Sequence, residues 1–326
     1  MVLSRNLVKN RALNFFFSAL IILGLSGCTK YYDEFTPNME YVPYPYVTQC
    51  RPSAFPPLNS EECHTDWGKE LRIAYVFAAE QDYYRAITGF KRSLVLLPPN
   101  ELRRKDQIEF DVFQSYYLAF KYQEAIEAFE ASGLQNVSNA FPPFKDLLIM
   151  LYDYYHKIDS ETKAADIYKI ILCDYPSEAS RLSLSTSFLK ADFVSIQQNA
   201  INTPYESDVN DLLCEYSSVA KSPEKARLLQ AILPGAGYYY VEQKNAALSS
   251  FMLNTLFIWA ACHFFAKGNV AAGILTTSLE TGWYFGGING AGLAAREYNE
   301  RAYEVNGREF MKNRSLFPIL MIQTSF

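Results

Sequence analysis

Histidine is scarce in this chain, and the patterns missing around it exclude most site chemistry. The 326 residues include three histidines, His64, His156 and His263. None lies in a Cys-x-x-Cys or His-x-x-x-His spacing of the kind that holds zinc, so the sequence predicts no metal site. None stands in a recognisable Ser-His-Asp arrangement either. We therefore expect no catalytic residue and no cofactor, and an enzyme is the least favoured alternative.

An excess of basic charge is also lacking. The chain carries 30 Lys and Arg against 35 Asp and Glu, a formal net charge of −5. A nucleic-acid-binding protein needs a basic patch or stripe, commonly with aromatic residues between the charges. No such stretch occurs, so the sequence predicts that nucleic acid is not a partner.

The sequence also lacks a phosphate-binding loop, although one stretch is rich in glycine as such loops are. Pro234, Gly235 and Gly237 fall in "LPGAGYYY". A phosphate loop needs two glycines five apart followed by Lys and Ser or Thr, whereas three tyrosines follow here. The residues before it have helical periodicity, and a dinucleotide loop would need a strand there. We interpret the stretch as a hinge that ends one helix and leads into an apolar hairpin.

The N-terminus is typical of an exported protein. Arg5, Lys9 and Arg11 precede a short apolar run, residues 15–25, which is followed by Leu-Ser-Gly-Cys at 25–28. A basic region and a short apolar core predict a signal peptide over residues 1–27. The alternatives are an uncleaved anchor, or an ordinary signal peptide beside a chance cysteine.

Residues 25–28 resemble the lipobox of bacterial lipoproteins. The resemblance implies that Cys28 becomes the first mature residue and carries the lipid. Several acyl chains on one residue give stable membrane attachment. By the enterobacterial sorting pattern, Thr29 favours the outer membrane. The expected location is the bacterial cell envelope, facing the periplasm.

Export implies an oxidising compartment, in which thiols tend to pair. Cys50 and Cys63 lie in one proline-rich segment, and we predict a disulfide between them. Cys173 and Cys214 are an alternative pair, and buried free thiols are the remaining alternative. Proline recurs through residues 28–65 without helical periodicity, which predicts an extended tether.

A repeat begins near residue 66. Ala86, Ala125 and Ala164 are evenly spaced, since 125 − 86 = 39 and 164 − 125 = 39. Each alanine is followed four residues later by an aromatic side chain, and these are Phe90, Phe129 and Tyr168. A small residue lets two helices approach, and the aromatic one fills the groove on the same face.

The segments that carry these residues resemble tetratricopeptide (TPR) repeats. The resemblance covers residues 66–176 and implies helical hairpins there. Residues 177–222 keep helical periodicity but lack the alanine and aromatic pattern, so we expect degenerate helices that complete a TPR-like region over 66–222. Two features differ from that family, because the period is five residues longer and Val137 stands where a closing proline is expected. An ordinary aromatic-rich helical bundle is the alternative.

Two apolar stretches follow the hinge. Residues 245–266 carry no formal charge and are long enough to span a bilayer, and residues 270–295 are interrupted only by Glu280. Gly282, Gly286 and Gly290 are four apart and share a helical face suited to close helix packing. We expect Glu280 to face His263 or a cation of another protein. The hairpin either spans the inner membrane, lies at an interface, or is buried in protein.

The region 223–305, with its "PGxGxxY" opening, resembles a hairpin module of bacterial envelope proteins. Residues 306–326 form an apolar tail that we expect to pack on the body as a strand or extended segment. The predicted fold is therefore all-α, a TPR-like helical-hairpin solenoid followed by a hydrophobic Gly-rich helical hairpin.

The predicted function is that of a lipid-anchored scaffold or adaptor in the cell envelope. Its architecture is similar to that of BamD-like TPR lipoproteins, which implies protein partners held by the repeats and a setting such as envelope biogenesis. Membrane lipid is reached through Cys28 and the 245–295 hairpin. The alternative is a structural membrane protein that forms homo-oligomers through its glycine face.

Overall fold

The computed structural model describes residues 37–43 and 51–326. These residues form helices, and the only strand-like pairing among them is one isolated bridge. The predicted all-α class is therefore confirmed. Consecutive helices stack as antiparallel pairs, as the repeat pattern predicts.

The described residues divide into two compact units. We call the first the helical-pair unit, which comprises residues 37–43, 51–212 and 303–326. We call the second the apolar unit, residues 213–302.

The helices of the helical-pair unit follow one another with short turns. Their bounds are α1 Ser60–His64, α2 Asp66–Ala79, α3 Tyr83–Leu96, α4 Leu102–Leu118, α5 Tyr122–Glu130, α6 Phe144–Lys157, α7 Glu161–Asp174, α8 Pro176–Leu189 and α9 Phe193–Ala200, with a 3-10 turn at Gly133–Asn136.

Short polar residues fix where several of these helices begin. Asn59 accepts a hydrogen bond from the Glu62 amide while Glu62 accepts one from the Asn59 amide, which forms a capping box at α1. Thr65 and Asp82 cap α2 and α3 through their side-chain oxygens. Pro176 begins α8, where a missing N–H removes no helical bond.

The turn inside each pair repeats with the period of the sequence. Gln81, Phe120 and Asp159 recur at the same interval as the alanines and have φ angles of 62°, 56° and 54°. In each case the next amide returns to a carbonyl five residues earlier, a bond typical of left-handed helix ends. Ala191, with φ of 51°, makes the same turn between α8 and α9. A fourth regular pair therefore lies where the sequence indicates only degenerate helices.

The three predicted alanines lie at helix contacts. Ala86, Ala125 and Ala164 have no exposed surface. Their aromatic companions differ: Phe90 is fully buried, whereas Phe129 and Tyr168 are partly exposed. The small side chains thus set the helix spacing throughout, while only the first aromatic residue belongs to the fully buried core.

The apolar unit contains the second half of α10, Glu206–Val219, followed by short and then long helices. Their bounds are α11 Pro223–Ile232, α12 Ala236–Tyr240, α13 Lys244–Ala266 and α14 Val270–Asn313, the last of which contributes residues to both units. Its small core contains Ala226, Val241, Ala291, Ala294 and Ala295.

The chain re-enters the helical-pair unit at Tyr303, within α14, and stays in it after the helix ends. Ser315, with φ of 52°, turns it out of the helix, and a short helix α15, Pro318–Met321, follows. Leu316, Phe317 and Ile322 are each at most 3% exposed. We call residues 316–326 the distal segment. The predicted extended character applies to its last residues, where Ser325 pairs with Ser53 in a parallel bridge.

We predict that Gly89→Val destabilises the protein. A Cβ atom at Gly89 would lie 2.9 Å from the Cβ of Ala74, so α2 and α3 must separate to admit a side chain. Overpacking of this kind typically costs about 1–3 kcal/mol. Chemical denaturation should show the loss. Thr88→Val, on the exposed side of the same helix, is the control, and an equal loss in both variants would contradict the close contact.

Candidate functional site

A cleft of about 440 Å³ opens on the helical-pair unit. Side chains from α4, α5, α6 and α8 form one side of it, and the start of the distal segment forms another. We call it the tyrosine cleft, and its side chains include Tyr117, Tyr122, Tyr152, Asp153, His156, Lys157 and Lys190.

Asp153 organises one wall of the cleft. It is 4% exposed, and its Oδ2 accepts a 2.9 Å hydrogen bond from the Tyr117 hydroxyl. Lys157 Nζ lies 3.1 Å from the same oxygen and 4.7 Å from the centre of the Tyr122 ring. Burial opposes the charge of Lys157, but Asp153 and Tyr122 outweigh it, and the pKa of Lys157 is raised. This wall therefore holds a neutralised ion pair among phenol rings.

His156 lies on the same helix as Asp153, α6, and also lines the cleft. Its ring meets Tyr152 edge-on at 4.5 Å, and its Nδ1 lies 3.5 Å from Glu161. Burial lowers the pKa of His156 more than Glu161 raises it, so the imidazole is neutral at pH 7. Lys190 contacts Glu161 at 2.6 Å. These paired groups leave aromatic faces and hydrogen-bonding groups available to a ligand, and two exposed acidic residues, Glu40 and Asp159, also line the cleft.

Four residues of the segment 37–43 line the cleft from outside the helices, and these are Pro37, Met39, Glu40 and Tyr41. Met39 is 3% exposed, and its terminal methyl group approaches Gly307. The amide of Asn38 donates to Glu304, and Arg308 donates to the Asn38 carbonyl. Tyr41 stacks on Phe317 with ring centres 4.8 Å apart. Part of the predicted 28–65 tether thus lies against the helical-pair unit.

The end of the distal segment crosses α6, α4 and α3 in turn. Asp146 Oδ2, in the first turn of α6, accepts from the amides of Gln323 and Thr324 at 2.9 and 2.8 Å and from the Thr324 hydroxyl. Gln114 on α4 donates to the Thr324 carbonyl at 3.1 Å. Main-chain groups of the segment are therefore bound by side chains of successive helices.

The aromatic ring of Phe326 completes this crossing. It stacks on Phe90 of α3 at 5.9 Å and lies 6.3 Å from Tyr83. Ser325 donates its amide to the Pro52 carbonyl, and Arg51 donates to the Ile319 carbonyl. The segment is thus held between helix side chains and residues 51–53.

A buried polar network fastens the chain before α1 to α4. Arg104 contacts both carboxylate oxygens of Glu62 at 2.8 Å and donates to the carbonyls of Pro56 and Pro57. Arg104 lowers the pKa of Glu62 through this hydrogen bonding. A planar guanidinium suits such two-point contact with a carboxylate.

The same network continues to Asp111. Gln107 donates to the Tyr75 hydroxyl at 2.6 Å, which donates to Asp111 at 2.8 Å. Burial raises the pKa of Asp111 to about 7, although the Tyr75 hydrogen bond and the charge of Arg104 oppose the shift. Tyr75–Asp111 and Tyr117–Asp153 are similar links, each between residues 36 apart and each joining neighbouring helices of the stack.

No motif in the sequence predicts the polar residues at these contacts. Asp146 and Asp153 interrupt the largely apolar run of α6, and that interruption is the signal that could have indicated them. Gln114 lies in α4 among several other polar residues and has no such signal. Gln114 and Asp153 are separated by one full period and thus occupy equivalent repeat positions. The alanine and aromatic pattern, by contrast, concerned only helix packing.

The cysteines give limited information. Cys28 and Cys50 lie outside the described residues, so the lipid site and the Cys50–Cys63 disulfide stay predictions. Cys63 is half-buried, with its thiol 3.9 Å from the Leu58 carbonyl. Cys173 and Cys214 are exposed free thiols, so that alternative pair is not formed. Within residues 37–43 and 51–326, no cluster of His, Cys, Asp and Glu could hold a metal ion.

The predicted hinge residues lie at a close contact in the apolar unit. Gly235 has φ of 93° and begins α12, with its amide bonded to the Gln230 side chain at 2.9 Å. A Cβ at Gly235 would collide with the Ala247 carbonyl, and one at Gly237 with the Ala226 carbonyl. Glycine is required at both, because the backbones approach too closely for a side chain.

The three glycines of the predicted packing face differ. A Cβ at Gly290 would meet the Tyr238 hydroxyl, so this glycine is used within the unit. Gly282 and Gly286 have no atom within 4 Å of an added Cβ and are open. The glycine stripe therefore divides into one inward and two outward positions.

Glu280 and His263 lie on α14 and α13. Glu280 is 8% exposed, and neither carboxylate oxygen has a hydrogen-bond partner among the described residues. His263 is exposed and stacks on Trp259 with ring centres 5.3 Å apart. No hydrogen bond joins the two side chains in this part of the chain.

One helix of the described residues, α13, is long and apolar enough to cross a membrane. Only 17% of its apolar stretch is buried. Large side chains remain exposed along it, including Leu256 at 57% and Trp259 at 63%.

No family model, no curated protein and no solved structure matches this chain.

We predict that Asp111→Asn changes the pH dependence of stability. The folded pKa of about 7 exceeds the value of 3.8 for a free carboxyl, so the folded state binds the extra proton and stability falls as pH rises between these values. Relative to Asp111→Asn, the wild-type protein should lose about 2–3 kcal/mol between pH 5 and pH 8. Urea unfolding at both pH values measures this difference.

Asp166→Asn, at an exposed carboxylate of the same unit, is the control. The difference in free energy of unfolding between Asp166→Asn and wild type should be nearly the same at pH 5 and at pH 8. Parallel pH profiles for Asp111→Asn and wild type would contradict the buried, protonated carboxyl.

We predict that Glu280→Leu stabilises the protein. The carboxylate is buried and lacks a hydrogen-bond partner among the described residues, and such a group costs about 1–3 kcal/mol. Thermal unfolding in detergent micelles should shift upward, with Glu280→Gln giving a smaller gain. An unchanged or lower stability of Glu280→Leu would mean that the carboxylate has a favourable partner.

Proposed function

We propose that this protein is a lipid-anchored scaffold of the bacterial cell envelope that binds protein partners through TPR-like helical pairs. The observation that carries the proposal is the way the helical-pair unit holds extended stretches of its own chain. Asp146, Gln114 and Arg51 bond to main-chain groups of the distal segment. Main-chain recognition with side-chain pockets is a general mode of peptide binding.

The tyrosine cleft supports the same function. Phenol rings supply large contact areas with few rotatable bonds and a hydroxyl for hydrogen bonding, a combination enriched in protein interfaces. Lys157 and Lys190 are already neutralised by Asp153 and Glu161, so we do not expect these lysines to select an acidic ligand. The partner surface in this proposal is aromatic and polar.

Membrane attachment in this proposal has two parts. The first is the lipid on Cys28, inferred from the lipobox resemblance. The second is the hairpin formed by α13 and the first part of α14. The 23 residues of α13 extend about 34 Å, enough for a hydrocarbon core of about 30 Å. Its exposed Leu256 and Trp259 are costly in water and favourable in lipid.

The membrane involved depends on how the hairpin is used. A spanning hairpin favours the inner membrane, whereas Thr29 favours the outer membrane by the sorting pattern. In both cases the helical-pair unit faces the periplasm.

A second candidate function is self-association in the membrane. It is favoured by Gly282 and Gly286, which are open on α14 and would let a second helix approach closely. Cysteine crosslinking separates the two functions. Adducts between two copies at position 286 favour self-association, and adducts to other proteins from the tyrosine cleft favour the scaffold.

We predict that the hairpin holds the protein in membranes without the lipid. In carbonate-washed membrane fractions, the Cys28→Ala chain should remain with the membrane. Adding Leu256→Arg and Trp259→Arg to Cys28→Ala should release it, because each arginine at the centre of a membrane helix costs about 2.5–3.5 kcal/mol.

The matched control adds Val95→Arg to Cys28→Ala. Val95 is 84% exposed on α3 of the helical-pair unit, so this variant should stay in the membrane fraction. Release of Cys28→Ala alone would show that the lipid is the sole attachment and would remove the hairpin from the proposal.

A further inference from the structure

The path of the last four residues of the distal segment is built like a ligand site. Their contacts come from three helices in turn: Asp146 on α6, Gln114 on α4 and Phe90 on α3. Two of the three contacts are made to main-chain atoms, which any extended peptide possesses. The third is made to an aromatic ring, by stacking.

The segment also fits this path imperfectly. Asp146 and Gln114 are each 2% exposed. Asp146 Oδ1 and Gln114 Oε1 are nevertheless buried acceptors without a hydrogen-bond partner among the described residues. An unsatisfied buried acceptor costs free energy, and nearly all such groups in folded proteins are satisfied. A different occupant with more donors would therefore bind these side chains better.

The two halves of the distal segment differ in burial. Leu316, Phe317 and Ile322 belong to the core of the helical-pair unit. Gln323 is exposed, and Thr324, Ser325 and Phe326 are only partly buried. The last four residues can therefore leave while the core part stays in place.

We propose that residues 323–326 are a built-in competitor for a partner peptide that binds in their place. The partner segment is extended and uncharged along its main contact, with a hydroxyl residue followed two positions later by an aromatic residue, as Thr324 and Phe326 are spaced here. A side-chain amide in the partner would satisfy the free oxygens of Asp146 and Gln114. This inference rests on the proposed scaffold function and names the chemistry of its partner.

The parallel bridge between Ser53 and Ser325 gives a direct test in the full chain. Facing strand residues are close enough for a disulfide, so Ser53→Cys with Ser325→Cys should lock the segment under oxidising conditions. A released variant combines Thr324→Pro, which removes one amide donor to Asp146, with Phe326→Ala, which removes the stacked ring.

The probe is a peptide with the sequence of residues 323–326, QTSF, carrying fluorescein on a flexible linker at its N-terminus. Measured by anisotropy, its affinity for the released variant should exceed that for wild type by at least about tenfold. The oxidised, locked variant should not bind it, and reduction should restore wild-type binding. A peptide with proline in place of threonine should bind the released variant much more weakly.

The locked variant keeps the native contacts, so its result does not depend on whether the released variant folds, which circular dichroism checks. Single Ser325→Cys controls for pairing with a native thiol. Equal peptide binding by the oxidised locked variant and the released variant would overturn the inference. So would exchange of the segment between two copies, seen as a disulfide-linked dimer in place of the locked monomer.

The outcomes separate this inference from the scaffold proposal. Suppose that the peptide binds only to the released variant, while Cys28→Ala and wild type are both absent from the membrane fraction. The peptide site at residues 323–326 is then supported, and the proposed membrane attachment is contradicted. If membrane retention holds while locking has no effect on the peptide, the built-in competitor alone is wrong.

Discussion

The close approach of paired helices at small residues is the constraint on which the helical-pair unit depends. Gly89 lies against Ala74, and Ala86, Ala125 and Ala164 are completely buried. Helices that approach this closely require a turn of defined geometry between them. The left-handed residues at a fixed period provide the same turn each time, so successive pairs present equivalent positions to their neighbours.

This regular stacking explains why polar groups line up between helices. Tyr75 donates a hydrogen bond to Asp111, and Tyr117 donates one to Asp153 in the next pair. The second link is displaced along its helices by about one turn from the position that the repeat period alone would give. Each tyrosine hydroxyl satisfies a buried carboxyl that would otherwise be costly to place among apolar side chains. Such links favour one register of the stack over its alternatives. Arg104 does the same for α1 through Glu62, and for the chain before α1 through the carbonyls of Pro56 and Pro57.

The parts of this fold that follow a period could be predicted from the sequence. Evenly spaced alanines and the glycines of the hinge correspond to buried contacts and to a backbone turn. The fourth pair, α8 and α9, was not predicted as regular, because its turn residue Ala191 carries no special signature. A left-handed turn closed by main-chain hydrogen bonds requires no particular side chain, and Gln, Phe, Asp and Ala all occupy this position here.

The candidate site could not be predicted in the same way. Asp146 is bonded to residues 177 and 178 positions away, and the tyrosine cleft combines helices with residues 37–41. Contacts over such distances along the chain have no periodic pattern, and a single acidic residue in a helix is usually solvated. Only burial distinguishes Asp146, which is 2% exposed, from exposed acidic helix residues such as Asp166.

The docking of Met39 has a mechanical consequence. Asn38 and Met39 are fixed to the helical-pair unit, and Asn38 stands only ten positions after Cys28, the proposed site of the lipid. A fully extended chain of that length reaches roughly 35 Å. If Cys28 carries a lipid, this length limits the distance between the bilayer surface and the point where Asn38 is fixed. A partner bound at the tyrosine cleft would then stay within about one protein diameter of the membrane.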